Sequence, residues 1–291
     1  MNRRTFVRSA VAASGLTPAL AGRALGAPSA DPAAPTTRLP ERAPDDDALQ
    51  VADSIQMCVF DTFGTVVDWR GSVTEEVDEL ARAKGWNVDA AAFADAWRGN
   101  YGPSMTRVRN GDLPWTILDD LHRMTLDELL VRFRMEGLTE AEKVHLNRVW
   151  HRLHPWPDAP GGLARLKTRY VLSPLSNGNT ALLTNMAKFG GLPWDCVLGS
   201  DIARHYKPDP EMYLMPGEIF DLPPSAVLMV AAHTGDLDAA KSHGLRTAYV
   251  HRPLERPNRE PPPWPEVGRF DFLARDFHDL ATQLGTWALP A

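Results

Sequence analysis

The segment Met57-Cys58-Val59-Phe60-Asp61-Thr62-Phe63-Gly64-Thr65 restricts the fold more than any other part of the chain. A short apolar run ends in a carboxylate, and a Gly-Thr turn follows at once. A run this short, without polar alternation, reads as a parallel strand buried on both faces. In open α/β sheets, ligands bind beyond the carboxyl ends of such strands. Asp61 is thereby delivered to a sheet edge, where a carboxylate can act as a nucleophile and form a covalent ester.

The same rhythm recurs downstream. Residues 56–60, 170–175, 196–199, 226–232 and 246–250 read as strands, and 161–168, 180–189, 210–220 and 237–244 as helices. Asp209-Pro210 has the pattern of an N-cap with proline at the first helical position. Short apolar strands alternating with helices predict an α/β fold with a doubly wound parallel sheet. Residues 70–156 break the rhythm. They read as helices over 73–84, 90–101, 117–136 and 140–154, with apolar spacing near 3.6 at Leu118, Leu121, Met124 and Leu129. A helical block inserted after the first strand is a second, smaller domain able to cover the site and exclude water. The domain reading is therefore a core of 55–69 and 157–291 with a cap of 70–156. Beyond Pro253, a loop containing Pro261-Pro262-Pro263 leads to a final helix over 277–284.

The amino terminus is expected to lie outside this fold. Asn2-Arg3-Arg4-Thr5-Phe6-Val7-Arg8 precedes a mild apolar stretch from Ser9 to Ala21. Paired arginines before such a stretch resemble a twin-arginine export signal over 1–27, implying a periplasmic protein. A basic tail on a cytoplasmic protein is the plainer alternative. The stretch is too short and interrupted for a stable membrane span. Residues 28–54, rich in Pro, Ala and Asp, read as a flexible linker. Net charge is -6, and removing residues 1–27 with their four arginines leaves -10. That balance argues against a nucleic-acid partner, which needs a basic face. Cys58 and Cys196 have neither metal nor redox spacing and read as core thiols rather than a disulfide.

Four segments carry chemistry together. The first is Asp61-Thr62-Phe63-Gly64-Thr65. Leu175-Ser176-Asn177-Gly178 ends a strand, and its hydroxyl, amide and following helix start form an anion seat. Tyr206-Lys207-Pro208-Asp209 supplies a fixed cation. Ala231-Ala232-His233-Thr234-Gly235-Asp236 ends another strand. Each follows a strand or precedes a helix, so the topology gathers all four at one sheet edge.

In these segments, over residues 55 to about 285, the chain resembles the haloacid dehalogenase superfamily, most closely the type II L-2-haloacid dehalogenases. The resemblance implies a Rossmann-like core with an inserted helical cap. Phosphate-transferring members hold Mg²⁺ and use an Asp two residues after the nucleophile as general acid. Here that position is Phe63, and the first acid of the fourth motif falls on Ala232. Mg²⁺ needs several oxygen ligands, so no metal or other cofactor is expected. A departing halide needs no proton, and an apolar wall at Phe63 suits it.

The resemblance then implies the roles. Asp61 attacks the α-carbon of a small anionic substrate, a 2-haloacid, and expels halide with inversion. Water attacks the resulting ester at the Asp61 carbonyl and releases a 2-hydroxy acid. Asp236 orients or deprotonates that water and is held by Lys207, which also keeps Asp61 ionised. Thr65, Ser176 and Asn177 match positions holding the nucleophile and the substrate carboxylate. Arg98, in the pair Trp97-Arg98, matches the halide-receiving arginine, and Tyr213 matches an active-site tyrosine. His233 stands where the best-known members carry Asn, Gly235 where they carry Trp, and Ala231 where they carry Ser. A homodimer is one open option. A phosphatase-type hydrolase of the same superfamily and a non-catalytic anion-binding descendant are the alternative functions.

Overall fold

The computed structural model describes residues 46–286. The expected export signal and residues 28–45 of the expected linker lie outside the described residues. The strands are β1 (Met57–Phe60), β2 (Val67–Asp68), β3 (His154–Pro155), β4 (Val171–Ser176), β5 (Leu198–Gly199), β6 (Val227–Ala231), β7 (Arg246–Val250) and β8 (Phe272–Ala274). Six of them form one sheet in the order β5-β4-β1-β6-β7-β8, and every pair in it is parallel. β1 lies between β4 and β6, with Phe60 opposite Pro174 on one side and Val230 on the other.

All four residues of β1 are buried because both faces of the sheet are covered. Cys58 and Phe60 enter one apolar cluster, Met57 and Val59 the other, as the two-residue period of a strand requires. Fully burying side chains of this size contributes roughly 1.5–3 kcal/mol each. That anchors the strand whose last bond carries Asp61.

The helices are α1 (Asp46–Ser54), α2 (Trp69–Lys84), α3 (Ala90–Gly99), α4 (Tyr101–Arg109), α5 (Leu118–Arg132), α6 (Glu140–Asn147), α7 (Ala159–Leu166), α8 (Thr180–Gly190), α9 (Ser200–Ala203), α10 (Pro210–Phe220), α11 (Thr234–Ser242) and α12 (Phe277–Gln283). Local chemistry sets their ends. The Asp68 side chain accepts from Gly71 N at the start of α2, and Gly85 closes it at φ +69. Thr139 and Glu142 form a capping box on α6.

Helices α2 to α6 occupy the block between β2 and β3. These two strands pair antiparallel, Val67 with Pro155 and Asp68 with His154, and so bring the two ends of the block together. The apolar interior runs on from the sheet into this block, through Phe63, Trp97, Leu126 and Trp150.

Several sequence expectations need correction, among them the helix over 140–154, which ends at Asn147 ahead of β3. Residues 46–54, read as linker, form α1, because Ala52 and Ile55 are buried and Val51 packs on the core. The Tyr170 hydroxyl also donates to Ala52 O. The helix expected over 90–101 ends at Gly99 and a new one starts at Tyr101. Pro103 has no N–H to donate to Gly99 O, so the ladder breaks there. β8 was not foreseen. It is only three residues long, behind a Pro-rich loop, and pairs with β7. Among the described residues, no helix is long and apolar enough to cross a membrane.

Candidate active site

Because the sheet is parallel, the loops after β1, β4 and β6 meet at one edge. Asp61 follows β1 directly, and its N–H donates to Val230 O in β6. Its carboxylate is almost enclosed. The Thr65 hydroxyl donates to Oδ2 at 2.8 Å, and His233 Nδ1 lies 3.0 Å from the same oxygen. Lys207 Nζ is 3.6 Å from Oδ1. Burial alone would raise this acid. The Lys207 charge, then the His233 hydrogen bond and charge and the Thr65 hydroxyl, outweigh burial and hold it far below the usual carboxylate range. Thr65 is fixed in turn, since its hydroxyl accepts from Ala232 N at 2.9 Å.

Lys207 serves two acids. Its Nζ is 2.7 Å from Asp236 Oδ2, and the Tyr213 hydroxyl donates to Asp236 Oδ1 at 2.6 Å. Burial pushes the Asp236 carboxyl up, and the neighbouring Asp61 charge adds to this against Lys207. Each Asp236 oxygen thus accepts one hydrogen bond. Tyr213, expected as a substrate contact, is placed on Asp236 and stacks on His243 at 5.6 Å. Asn177 accepts from Lys207 N at 2.7 Å and so sets the lysine loop. Ser176 is fully buried, with its hydroxyl 3.3 Å from Gly178 N.

Phe63 is buried against Tyr101 and Trp150. The Arg98 guanidinium lies over the Tyr101 ring at 3.8 Å and 5.8 Å from the Phe63 ring. Its Nε and Nη1 are buried and have no hydrogen-bond partner. Two buried guanidinium nitrogens left this way suit an anion placed against them. Tyr101, whose hydroxyl burial pushes up to about 12, lies within electrostatic reach of both Arg98 and Asp61.

Sequence reasoning missed two residues. Tyr101 was one; it lies three positions after Arg98, at the start of the next helix. Glu255 was the other. Its Oε2 is 3.0 Å from His233 Nε2, and its Oε1 accepts from Trp69 Nε1 at 3.0 Å. It follows β7, hence the same sheet edge, and that position was the available signal. The loop carrying it is clamped by buried Arg252. This guanidinium grips Asp158 at 2.8 and 2.9 Å and donates to Thr65 O at 2.8 Å. Burial alone would lower the His233 pKa, but hydrogen bonds to Asp61 and Glu255 and their charges raise it to about 10. Glu255 is held below the ordinary glutamate value against its burial, chiefly by the His233 hydrogen bond and charge. His233 also lines a cavity of about 680 Å³ with Gly235, Tyr249 and Trp264.

A parallel sheet with an ionised carboxylate at its edge, a shared lysine and these loop positions has known counterparts. The haloacid dehalogenase-like hydrolase family matches residues 55–244. The chain belongs to that family. A crystal structure of a defluorinating L-2-haloacid dehalogenase is 44% identical, covering 80% of this chain and 96% of that one, with a TM-score of 0.73. The (S)-2-haloacid dehalogenase 4A of Burkholderia cepacia is 29% identical over 72% of this chain and 89% of its own. The L-2-haloacid dehalogenase of Xanthobacter autotrophicus, solved with chloropropionic acid covalently bound, is 25% identical, covering 78% of this chain and 97% of that one, with a TM-score of 0.64.

The Mg²⁺ of phosphate-transferring members does not fit the residues present. The Lys207 ammonium already lies against both Asp61 and Asp236. Positions 63 and 232 offer a phenyl ring and a methyl group instead of carboxylates.

Proposed function

We propose that this chain is a hydrolytic dehalogenase that displaces halide from short 2-haloalkanoic acids through an ester on Asp61. The observation that carries the reading is the pairing of Asp61, held by Lys207 and His233, with Arg98, whose buried Nε and Nη1 lack hydrogen-bond partners. The first is a nucleophile that needs no base. The second is a receptor for the anion leaving from the substrate. The close likeness to L-2-haloacid dehalogenases supports the same chemistry.

In the first step an Asp61 oxygen attacks the α-carbon, and the halide leaves with the bonding pair. The Ser176–Gly178 turn is the seat for the substrate carboxylate. Esterification removes the Asp61 charge, and with it part of what keeps His233 protonated. His233, which is 38% exposed, then releases its proton to solvent. Backed by Glu255, the neutral ring takes a proton from water as that water attacks the ester carbonyl. The 2-hydroxy acid departs with the former Asp61 oxygen, leaving Asp61 ionised and His233 protonated again. Asp236 was the sequence-based choice for this base; each of its oxygens already accepts one hydrogen bond, from Lys207 and from Tyr213. We assign it the task of holding Lys207.

Halide release from fluoro-, chloro- and bromoacetate and both 2-chloropropionate enantiomers, with and without chelator, tests the reading. We expect chelator-insensitive release with preference for the S enantiomer, and none from Asp61→Asn. A phosphoryl ester consumed only with Mg²⁺ would overturn it. The same proposal takes residues 70–156 as a cap on the core and residues 1–27 as a twin-arginine leader to the periplasm. Cell fractionation of Arg3→Lys/Arg4→Lys against the parent checks the leader. Light scattering distinguishes monomer from homodimer.

A further inference from the structure

His122 is a buried histidine that the mechanism above does not use. Its side chain is almost fully covered, yet neither ring nitrogen has a hydrogen-bond partner. Its backbone is fixed, since Trp97 Nε1 donates to His122 O at 3.1 Å. Burial pushes the ring's pKa down to about 3, so the imidazole is neutral, with one N–H to give. A buried N–H without an acceptor is costly, and native interiors rarely keep one.

The surroundings of His122 close into a circuit. Its ring stacks on Trp150 at 4.3 Å, and Trp150 meets Phe63 edge-on at 5.9 Å. Phe63 is 5.8 Å from the Arg98 guanidinium, which lies 3.8 Å over Tyr101. Tyr101 returns to His122 at 6.2 Å. Three side chains in this circuit, Arg98, His122 and Trp150, hold buried nitrogens without partners, and its other members, Phe63 and Tyr101, are aromatic. That arrangement suits a small monatomic anion better than a carboxylate, which needs more donors on two oxygens.

We propose that His122 is a halide-binding residue: its ring N–H and the Arg98 guanidinium together receive the halide expelled by Asp61, with fluoride gaining most. The inference rests on the haloacid reading. Fluoride is the strongest hydrogen-bond acceptor of the halides and the poorest leaving group from carbon. A positioned neutral donor therefore matters most when fluorine departs. Bromide, larger and softer, draws mainly on the guanidinium charge and the aromatic walls.

The test compares His122→Phe, which preserves the stack on Trp150, with His122→Gln, which preserves a donor. For His122→Phe we expect kcat/KM on fluoroacetate to fall about 10- to 100-fold, the worth of one hydrogen bond to a charged acceptor. On bromoacetate we expect a loss below about fivefold, since the guanidinium remains. His122→Gln should recover part of the fluoroacetate activity. A structural role would lower both substrates equally, and equal losses or none overturn the proposal. A second measurement uses the unaltered protein without substrate. Sodium fluoride, chloride and bromide are titrated while the His122 ring nitrogens are followed by ¹⁵N NMR. Saturable shifts, largest for fluoride, support the site. Unmoved signals overturn it, whether or not the variants fold. Should the unaltered protein release no halide from any haloacid, the enzymatic reading fails alone, and the titration still decides His122.

Discussion

Replacing Glu255 with Gln separates the two chemical steps. The carboxylate now accepts from His233 at 3.0 Å and from Trp69 at 3.0 Å, one bond per oxygen. An amide has one acceptor, so one of the two donors faces an NH₂ group. A hydrogen bond to a charged group contributes roughly 1.5–3 kcal/mol, and about 1.36 kcal/mol is a factor of ten in rate. His233 loses this support when it must take a proton from water. We expect ester hydrolysis to slow about 10- to 100-fold with ester formation nearly unchanged. Rapid-quench assays should show a burst of halide equal to the enzyme present, and intact mass should show the accumulated ester. Stability has a definite pH dependence. His233 titrates near 10 when folded against 6.5 unpaired. Its contribution is present below pH 6.5 and lost as pH rises through about 10. Glu255→Gln should move that loss to lower pH in alkaline melting curves. Unchanged kcat with no burst would refute the role given to Glu255.

Three further substitutions probe the supports of the site. In Gly64→Ala the new Cβ would lie 2.4 Å from Glu255 Oε1 at a backbone φ of +90, so kcat should fall at least as far as in Glu255→Gln, with a lower Tm. Lys207→Met removes the largest influence keeping Asp61 ionised. The Asp61 pKa then rises, and the acid limb of the kcat/KM profile should move to higher pH. Gly235 has open space where a Cβ would go and borders the cavity of about 680 Å³. Gly235→Trp should fold normally and raise KM for 2-chlorobutanoate more than for chloroacetate.

The parallel sheet was legible because strands buried on both faces leave unbroken apolar runs, as at Met57–Phe60 and Val227–Ala231. Asp61, Asp236 and His233 were legible because each follows such a strand, and Lys207 from its place between Tyr206 and Pro208. Glu255 was not. It lies in a charged, Pro-rich stretch that reads as solvated surface, and it becomes buried only when Arg252 clamps that stretch to Asp158 and Thr65. The task of Tyr213 also needed the third dimension, since its hydroxyl reaches Asp236 across 23 positions. α1 escaped notice because its apolar side, at Val51 and Ala52, is short and flanked by acids.

The central claim is that Asp61 forms a covalent ester that water opens at the carboxyl carbon. A single turnover in H₂¹⁸O, with enzyme in excess over 2-chloropropionate, addresses it directly. The oxygen of the attacking water should enter the Asp61 side chain, found by mass in the peptide spanning Met57 to Thr65, while the lactate carries none. Labelled lactate with an unlabelled peptide would mean that water displaced the halide itself, and Asp61 would not be the nucleophile.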